Sequence, residues 1–278
     1  MNDFEIDKYL QQELREKYNP DGSVLRKAQL RMLEMLKYLD KTCRENSIEY
    51  WLESGTLLGA VRHGGFIPWD DDVDIAMTRK DAKKLRKILI QQSSHPDFVY
   101  QCHETDPFHF VFWDRLRDTK SANVAPSYAQ DHLIYKGLAI DIFRLDDNIN
   151  DWLQQKCISL NHYLLTLPLS ENTGIWTKLR PILPFLYRLM RHIVLPVAQV
   201  LSIFHKNDYL NYSYGQPWKR KYPKDAIYPL DEIQFEGYSF KAPADLNRYL
   251  YAAFTDWKQV PPENKRVTHN IQLETYFE

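Results

Sequence analysis

The order of sequence patterns predicts an α+β fold with a mostly helical second part. An amphipathic helical pattern comes first, strand-like segments follow it, and the remainder is mainly helical. The length of 278 residues suits one large domain or one domain with an insertion. The hydrophobic fraction of 44% and the charged fraction of 26% are ordinary for a globular protein, so they exclude a disordered tail, a collagenous chain and a coiled-coil rod.

The first elements are indicated by turn residues and by apolar spacing. Residues 1–22 form a polar lead-in that ends in a turn cluster, Asn19-Pro20-Asp21-Gly22. Ser23 can cap a helix that runs to about Asn46, because apolar residues recur there at spacings of three and four. The elements predicted next are a strand at 48–52, a turn at 54–56, one or two helical turns at 57–62 and a glycine-rich loop at 63–69.

Strands and helices alternate further along the chain. Residues 72–77 alternate as a strand does, and Thr78 with Asp81 resembles a capping box that opens a helix to about Gln92. A hairpin is predicted around Glu236-Gly237. The remaining predictions are strands at 98–102, 108–116 and 138–143, and helices at 151–167 and about 244–254.

Charge and cysteine content limit the functional class. The net charge of −1 gives no sign of the basic excess typical of nucleic-acid binding. The three cysteines are widely spaced, so no disulfide framework is indicated. The first twenty residues lack an apolar signal region, and no apolar run of 18 residues occurs. We therefore expect a cytoplasmic location, which could include the inner face of the cell membrane.

Three carboxylates carry the most chemical information. Asp72 and Asp74 fall two residues apart on one strand, so they share a face roughly 6–7 Å apart. Such a pair repels unless a cation lies between its members, and hard oxygen ligands suit Mg²⁺ or Mn²⁺. Asp141 is a single acid on an otherwise apolar strand and needs a partner. The alternative, a solvated turn, is weakened because these features occur together with a glycine turn.

That turn is Gly55-Thr56, between a strand and the start of a helix. Its backbone N–H groups and hydroxyl could hold a phosphate, and glycine allows close backbone approach. Arg115 and Arg117 share a strand face and, with Lys120, could also meet phosphates; the alternative is an exposed strand face. Cys102, His103 and His109 provide three candidate zinc ligands without a clear fourth, so we expect ordinary strand residues there.

Residues 53–77, ESGTLLGAVRHGGFIPWDDDVDIAM, closely resemble the LicD family of phosphotransferases. Weaker similarity continues in residues 137–143 and in the C-terminal segment from Tyr228 to Pro262. The resemblance implies a nucleotidyltransferase-like fold, with a mixed β-sheet core flanked by helices. It also implies metal binding by Asp72, Asp74 and Asp141, which would be the catalytic acids, and a phosphate-cradling turn at Gly55 and Thr56. Arg62, His63 and Trp69 lie within residues 53–77, and Lys136 directly precedes the similar stretch 137–143. We predict that these four residues contact the phosphate donor.

The sequence patterns and the resemblance together predict a lead-in (1–22), a nucleotidyltransferase-like catalytic core (23–150), a helical and partly basic segment (151–226) and a C-terminal hairpin and helix that complete the domain (227–278). The resemblance implies transfer of a phospho-alcohol, with phosphocholine as the best guess, from a CDP-linked donor such as CDP-choline. The acceptor would be a hydroxyl of a cell-surface glycan, lipid-linked glycan or teichoic acid precursor, and CMP would leave. Two alternatives stay open: transfer of a nucleoside monophosphate to a sugar phosphate, small molecule or protein, and a non-catalytic glycan- or nucleotide-binding module.

Residues 176–206 combine bases with apolar residues. The longest uncharged run there is too short to span a bilayer, but a basic amphipathic segment could lie on an anionic membrane. The alternative is that these helices only pack on the catalytic core. Neither the transferred alcohol, the acceptor sugar, the number of metal ions nor the oligomeric state follows from the sequence.

Overall fold

A computed structural model describes residues 6–91, 95–123, 128–170, 174–268 and 273–275. Its strands are β1 (Trp51–Leu52), β2 (Val73–Thr78), β3 (Phe98–Gln101), β4 (Asp114–Asp118), β5 (Ser121–Asn123), β6 (Ala139–Asp146), β7 (Tyr209–Tyr212), β8 (Tyr222–Pro223), β9 (Asp231–Phe235), β10 (Tyr238–Ala242) and β11 (Leu273–Thr275). Its α-helices are α1 (Lys8–Tyr18), α2 (Val24–Glu45), α3 (Ser54–His63), α4 (Arg79–Gln91), α5 (Tyr128–His132), α6 (Asp151–Asn161), α7 (Leu167–Ser170), α8 (Ile175–Lys178), α9 (Leu183–Leu189), α10 (Leu195–Leu201), α11 (Lys224–Ile227) and α12 (Leu246–Ala253).

A seven-stranded mixed sheet forms the centre of the molecule, which confirms the predicted α+β class. The main path runs β1-β2-β6-β4-β3, and β7 and β8 extend it from β6. The β2 and β6 strands run parallel, whereas the other pairs in the sheet are antiparallel. The acid-bearing strands β2 and β6 are therefore immediate neighbours.

Helix α2 follows the predicted pattern closely. The Ser23 hydroxyl accepts a hydrogen bond from the Arg26 N–H at 3.1 Å, as an N-cap does. Met32, Leu36 and Leu39 are completely buried along one face of the helix. The apolar stripe therefore forms one wall of the main core, and burial of this kind supplies most of the stability of a helix in a protein.

Two other local predictions are also confirmed. The Thr78 hydroxyl donates to the Asp81 carboxylate at 2.6 Å, and the Asp81 N–H returns a bond to that hydroxyl at 3.2 Å. The helix that this capping box opens, α4, ends at Gln91, and the predicted end at 92 lies outside the described residues. Strands β9 and β10 form the predicted hairpin, in which Glu236 and Gly237 have the positive φ angles that a tight hairpin turn requires.

Three predictions were wrong. The turn predicted at 54–56 is the first turn of helix α3, which begins at Ser54. The lead-in contains helix α1, in which the Asp7 carboxylate caps the N–H groups of Tyr9 and Leu10. The strand predicted at 108–116 begins only at Asp114, because the Asp106 side chain and carbonyl hold the preceding residues in turns. Phe110 and Phe112 instead pack with Tyr187 in a second apolar cluster.

The helical second part runs from α6 to α10. Two π-helical turns, His162–Thr166 and Met190–Val194, interrupt it. Within the described ranges, no helix has both the length and the apolar character needed to cross a bilayer.

Candidate active site

The structure brings the three predicted carboxylates together. Asp74 on β2 and Asp141 on β6 are directly paired in the parallel register, and Asp72 lies just before β2. Burial raises the pKa of Asp74 well above its usual value, and the charges of Asp72 and Asp141 raise it further. The three acids therefore form one concentrated region of negative charge at the start of β2.

Asp141 already has two protein partners. The Arg115 guanidinium donates to it at 2.6 and 3.3 Å, and the Trp113 indole N–H donates at 2.9 Å. Arg115 lies opposite Asp141 in the β4–β6 register, so these contacts follow from the sheet. Arg117 is buried on the same strand against Gln101 and the Gly137 carbonyl, so the exposed face considered for this strand is not present.

The carboxylate oxygens suit a divalent cation, although the described side chains are not already arranged around one. Among the residues that the structure describes, no group of three His, Cys, Asp or Glu side chains is arranged to hold a metal ion. Asp72 and Asp74 nevertheless offer hard oxygen ligands, and a cation would remove the repulsion that raises the Asp74 pKa. Asp141 accepts three hydrogen bonds from Trp113 and Arg115, so its carboxylate has acceptor capacity left for a cation.

Gly55 and Thr56 lie in the first turn of α3, beside these acids. The Thr56 hydroxyl accepts a 2.8 Å hydrogen bond from the Asp74 N–H, which ties the helix start to β2. A Cβ on Gly55 would lie 2.7 Å from the Asp70 carboxylate oxygen. The N-terminus of α3 therefore packs closely against the carboxylate region, and a side chain at position 55 would displace Asp70.

A buried glutamate fixes this helix start, and the sequence patterns did not indicate it. Glu53 is completely buried, and its carboxylate accepts hydrogen bonds from Tyr212 at 2.8 Å, from Tyr222 at 2.6 Å and from Tyr249. The three hydroxyls compensate a charge that would otherwise be costly to bury. Because the tyrosines come from β7, β8 and α12, only the position of Glu53 directly before Ser54-Gly55 could have suggested its importance.

Arg62 and His63 are the last residues of α3, and Trp69 packs beside them. Arg62 is buried and donates to the carbonyls of Trp257 at 3.0 Å and Gln259 at 2.8 Å. Burial lowers the pKa of Arg62 to about 10 and that of His63 to about 3.

His63 Nδ1 contacts the Gln11 amide oxygen at 2.6 Å, and Trp69 packs edge-on against Tyr18 and His63. These contacts are with the protein itself, so the donor-binding roles predicted for Arg62, His63 and Trp69 stay predictions. Lys136, half-buried, donates to the Asp131 carbonyl at 3.2 Å, and its predicted role likewise stays a prediction.

Comparisons with known proteins show similarity to transferases. A family model described as LicD/FKTN/FKRP, nucleotidyltransferase domain, matches residues 47–169. The chain is 28% identical over 258 residues to the lipopolysaccharide cholinephosphotransferase LicD of Haemophilus influenzae, covering 89% of this chain and 96% of that protein.

Shorter stretches match two further transferases. Ribitol 5-phosphate transferase FKRP of Homo sapiens is 46% identical over 48 residues, which is 17% of this chain and 10% of that protein. Ribitol-5-phosphate transferase FKTN of Mus musculus is 36% identical over 76 residues, 27% of this chain and 16% of that protein. The stretch that the family model matches contains Asp72, Asp74 and Asp141, and the similarity to the LicD transferase extends over most of the chain.

Proposed function

We propose that this enzyme transfers a phospho-alcohol, with phosphocholine as the best candidate, from a CDP-linked donor to a hydroxyl of a cell-surface glycan or teichoic acid precursor. The observation that carries the proposal is the pairing of Asp74 with Asp141 beside the N-terminus of α3. The relatives named as a cholinephosphotransferase and as ribitol phosphate transferases support a phospho-alcohol as the transferred group.

The carboxylates would hold the metal. Asp72 and Asp74, with Asp141, would bind Mg²⁺ or Mn²⁺, which would neutralise the diphosphate of the donor. The first-turn N–H groups of α3 and the Thr56 hydroxyl would orient the donor phosphates. Because the Thr56 hydroxyl accepts its hydrogen bond from Asp74, it can still donate one to a phosphate oxygen.

Asp141 and Arg115 would act on the acceptor side. Asp141 would accept a hydrogen bond from the acceptor hydroxyl and receive its proton, or orient that hydroxyl for attack on the phosphorus next to the alcohol. Arg115 lies against Asp141 and would offset negative charge on the reacting phosphate. This position suits Arg115 better than Arg62, whose guanidinium bonds to carbonyls at the far end of α3.

A donor screen tests the proposal. The protein would be incubated with CDP-choline, CDP-ribitol, CDP-glycerol and CDP-ethanolamine, with Mg²⁺ or Mn²⁺, and CMP release would be measured with and without a glycan acceptor. We expect metal-dependent CMP release with one of these donors, loss on chelation and recovery when the metal is restored. Pyrophosphate release from a nucleoside triphosphate would instead support the nucleotidyltransferase alternative. No turnover together with no metal binding by calorimetry would support a non-catalytic module.

The cytoplasmic location is part of the same proposal, since a CDP-linked donor would be available there. Fractionation of cells that express the tagged chain would test it.

A further inference from the structure

A cavity lies on the opposite side of the sheet from the carboxylates. Arg144 and Asp141 are three residues apart on β6, so their side chains project from opposite faces. The cavity, of about 470 Å³, is walled by α4, by Arg144 and by the helical segment from Arg191 to Val200. This volume is within the range of small-molecule sites, roughly 300–1,000 Å³.

The cavity is strongly basic. Arg79, Arg86, Arg144 and Arg191 line it, and Glu104 is its one acidic lining residue. Arg79 is matched by Asp146, with Nε 3.0 Å from the carboxylate, and Arg86 is matched by Glu104 at 2.9 Å.

Arg144 and Arg191 have only neutral hydrogen-bond partners among the described residues. Arg144 donates to the Phe112 carbonyl, and its Nε is buried without a hydrogen-bond partner. Arg191 donates to the Tyr187 hydroxyl at 3.3 Å. Neither guanidinium forms an ion pair with a carboxylate among the described contacts, although the charges of Asp114 and Asp146 act on Arg144 from a distance. A phosphate suits this arrangement, because guanidinium groups bind phosphate oxygens by charge-assisted hydrogen bonds.

His103 also lines the cavity, and the positive charges of the arginines affect its pKa. Its pKa is lowered to about 3, first by burial and then by Arg191, Arg86, His192 and Arg144. The imidazole therefore stays neutral at ordinary pH and adds no charge to the cavity, while the arginines remain to attract an anion.

An apolar groove of about 300 Å³ continues from the cavity. His192, Pro196 and Val200 line both, and Ile193, Val197 and Leu201 complete the groove. Val200 and Leu201 are 65% and 68% exposed, and the nearby Phe204 is 96% exposed. Contiguous exposed apolar surface of this kind marks a site of interaction with lipid, protein or ligand.

We propose that the cavity and the groove together bind a lipid phosphate, with the phosphate in the basic cavity and the hydrocarbon chain in the groove. The continuity of the two favours one amphiphilic ligand, since a free phosphate would leave the groove empty. The basic amphipathic stretch at 176–206 then meets the membrane through α10 and the residues that follow it. The proposal rests on groups separate from the carboxylates, so it goes beyond the transfer reaction.

Calorimetry on the full chain tests the proposal, with decyl phosphate below its micelle concentration, inorganic phosphate and decanol as probes. We expect decyl phosphate to bind at least ~10-fold more tightly than inorganic phosphate, because a buried chain adds hydrophobic free energy. Arg191→Ala should weaken decyl phosphate binding ~10-fold, since it removes a charged hydrogen bond. The matched control is Arg188→Ala, an exposed arginine one turn earlier and outside the cavity, which should bind as the parent does.

A third variant separates the groove from the cavity. Val197→Asn should weaken binding of decyl phosphate and leave inorganic phosphate unaffected. Equal affinities of the parent and Arg191→Ala, or equal affinities for decyl phosphate and inorganic phosphate, would overturn the proposal. Since none of these variants changes a carboxylate, CMP release from the donor in water reports separately on the transfer reaction.

Discussion

The two ends of helix α3 belong to one continuous sequence block but have different surroundings. At the N-terminal end, Gly55 and Thr56 lie against Asp70 and Asp74, and burial, followed by the neighbouring negative charges, raises the pKa of Asp74. At the C-terminal end, Arg62 is satisfied by carbonyls of the C-terminal segment. The first end lies among the acidic side chains of the candidate site, whereas the second joins the helix to the C-terminal segment. Residues that lie close together in this sequence block therefore differ in their surroundings, which the sequence pattern alone does not reveal.

Substitution of two glycines in α3 should give the largest effects and tests this comparison most directly. In Gly55→Ala the new Cβ would lie 2.7 Å from a carboxylate oxygen of the buried Asp70, so that side chain must shift. We expect about a 10²-fold loss of kcat/KM through displacement of the site, and a smaller loss of stability than a clash with backbone would cause. In Gly59→Ala the Cβ would lie 2.5 Å from the Gly65 carbonyl oxygen, which is backbone. That variant should lose about 1–3 kcal/mol of stability and keep the activity of its folded fraction.

The measurements are CMP release and urea unfolding of both variants. Unchanged kinetics in Gly55→Ala would remove the distinction between the two ends.

The cage of three tyrosines, whose hydroxyls donate to Glu53, should contribute more to the stability of the protein than to its catalytic rate. In Tyr222→Phe the buried carboxylate loses a 2.6 Å hydrogen bond, and we expect the free energy of unfolding to fall by about 1–3 kcal/mol. The control is Tyr238→Phe, because Tyr238 is 45% exposed and its change should stay within about 0.5 kcal/mol. Equal unfolding free energies for the two variants in urea would show that the cage does not support α3.

The smallest effect is expected from the pH dependence at His63. Burial lowers its folded pKa to about 3, so the unfolded chain takes up a proton near pH 6.5 before the folded chain does. The stability contributed by neutral His63 is complete above the unfolded pKa and is lost as pH falls toward 3. Between pH 7 and 5 this should cost the protein about 2 kcal/mol.

His63→Gln should lose that part of the pH dependence, measured by urea unfolding at both pH values. The same slope in parent and variant would contradict the assignment. His103 and His109 also have lowered pKa values and add to the pH dependence of both proteins. The quantity to compare is therefore the difference in pH dependence between the parent and His63→Gln, not the total pH dependence of either.

Local patterns predicted the parts of the fold that depend on local forces. The Ser23 cap, the Thr78–Asp81 capping box and the hairpin at Glu236-Gly237 are all contacts within a few residues, and all three are present. The strand predicted at 108–116 began too early, because the turns set by Asp106 outweigh the aromatic pattern. Helix α1 was missed because its face is largely polar, with Leu14 as its buried residue.

The candidate site was predictable only in part. The same-face spacing of Asp72 and Asp74 predicted a pair, and the apolar strand around Asp141 predicted a partner for that acid. The direct pairing of Asp74 with Asp141 depends on strand order, and the partners of Glu53 come from positions 212, 222 and 249. Contacts over such distances follow from tertiary packing, which spacing within one segment does not encode.

The central claim is that Asp74 belongs to the reacting centre. The most direct test is the initial rate of CMP release by Asp74→Asn, with Asp225→Asn as the matched control, since Asp225 is an exposed acid paired with Arg248. We expect Asp74→Asn to lose about 10³-fold or more in rate, because metal-held charge stabilisation is worth several kcal/mol, while its melting temperature does not fall. The control should keep the parent rate. A rate for Asp74→Asn within about tenfold of the parent would contradict the account.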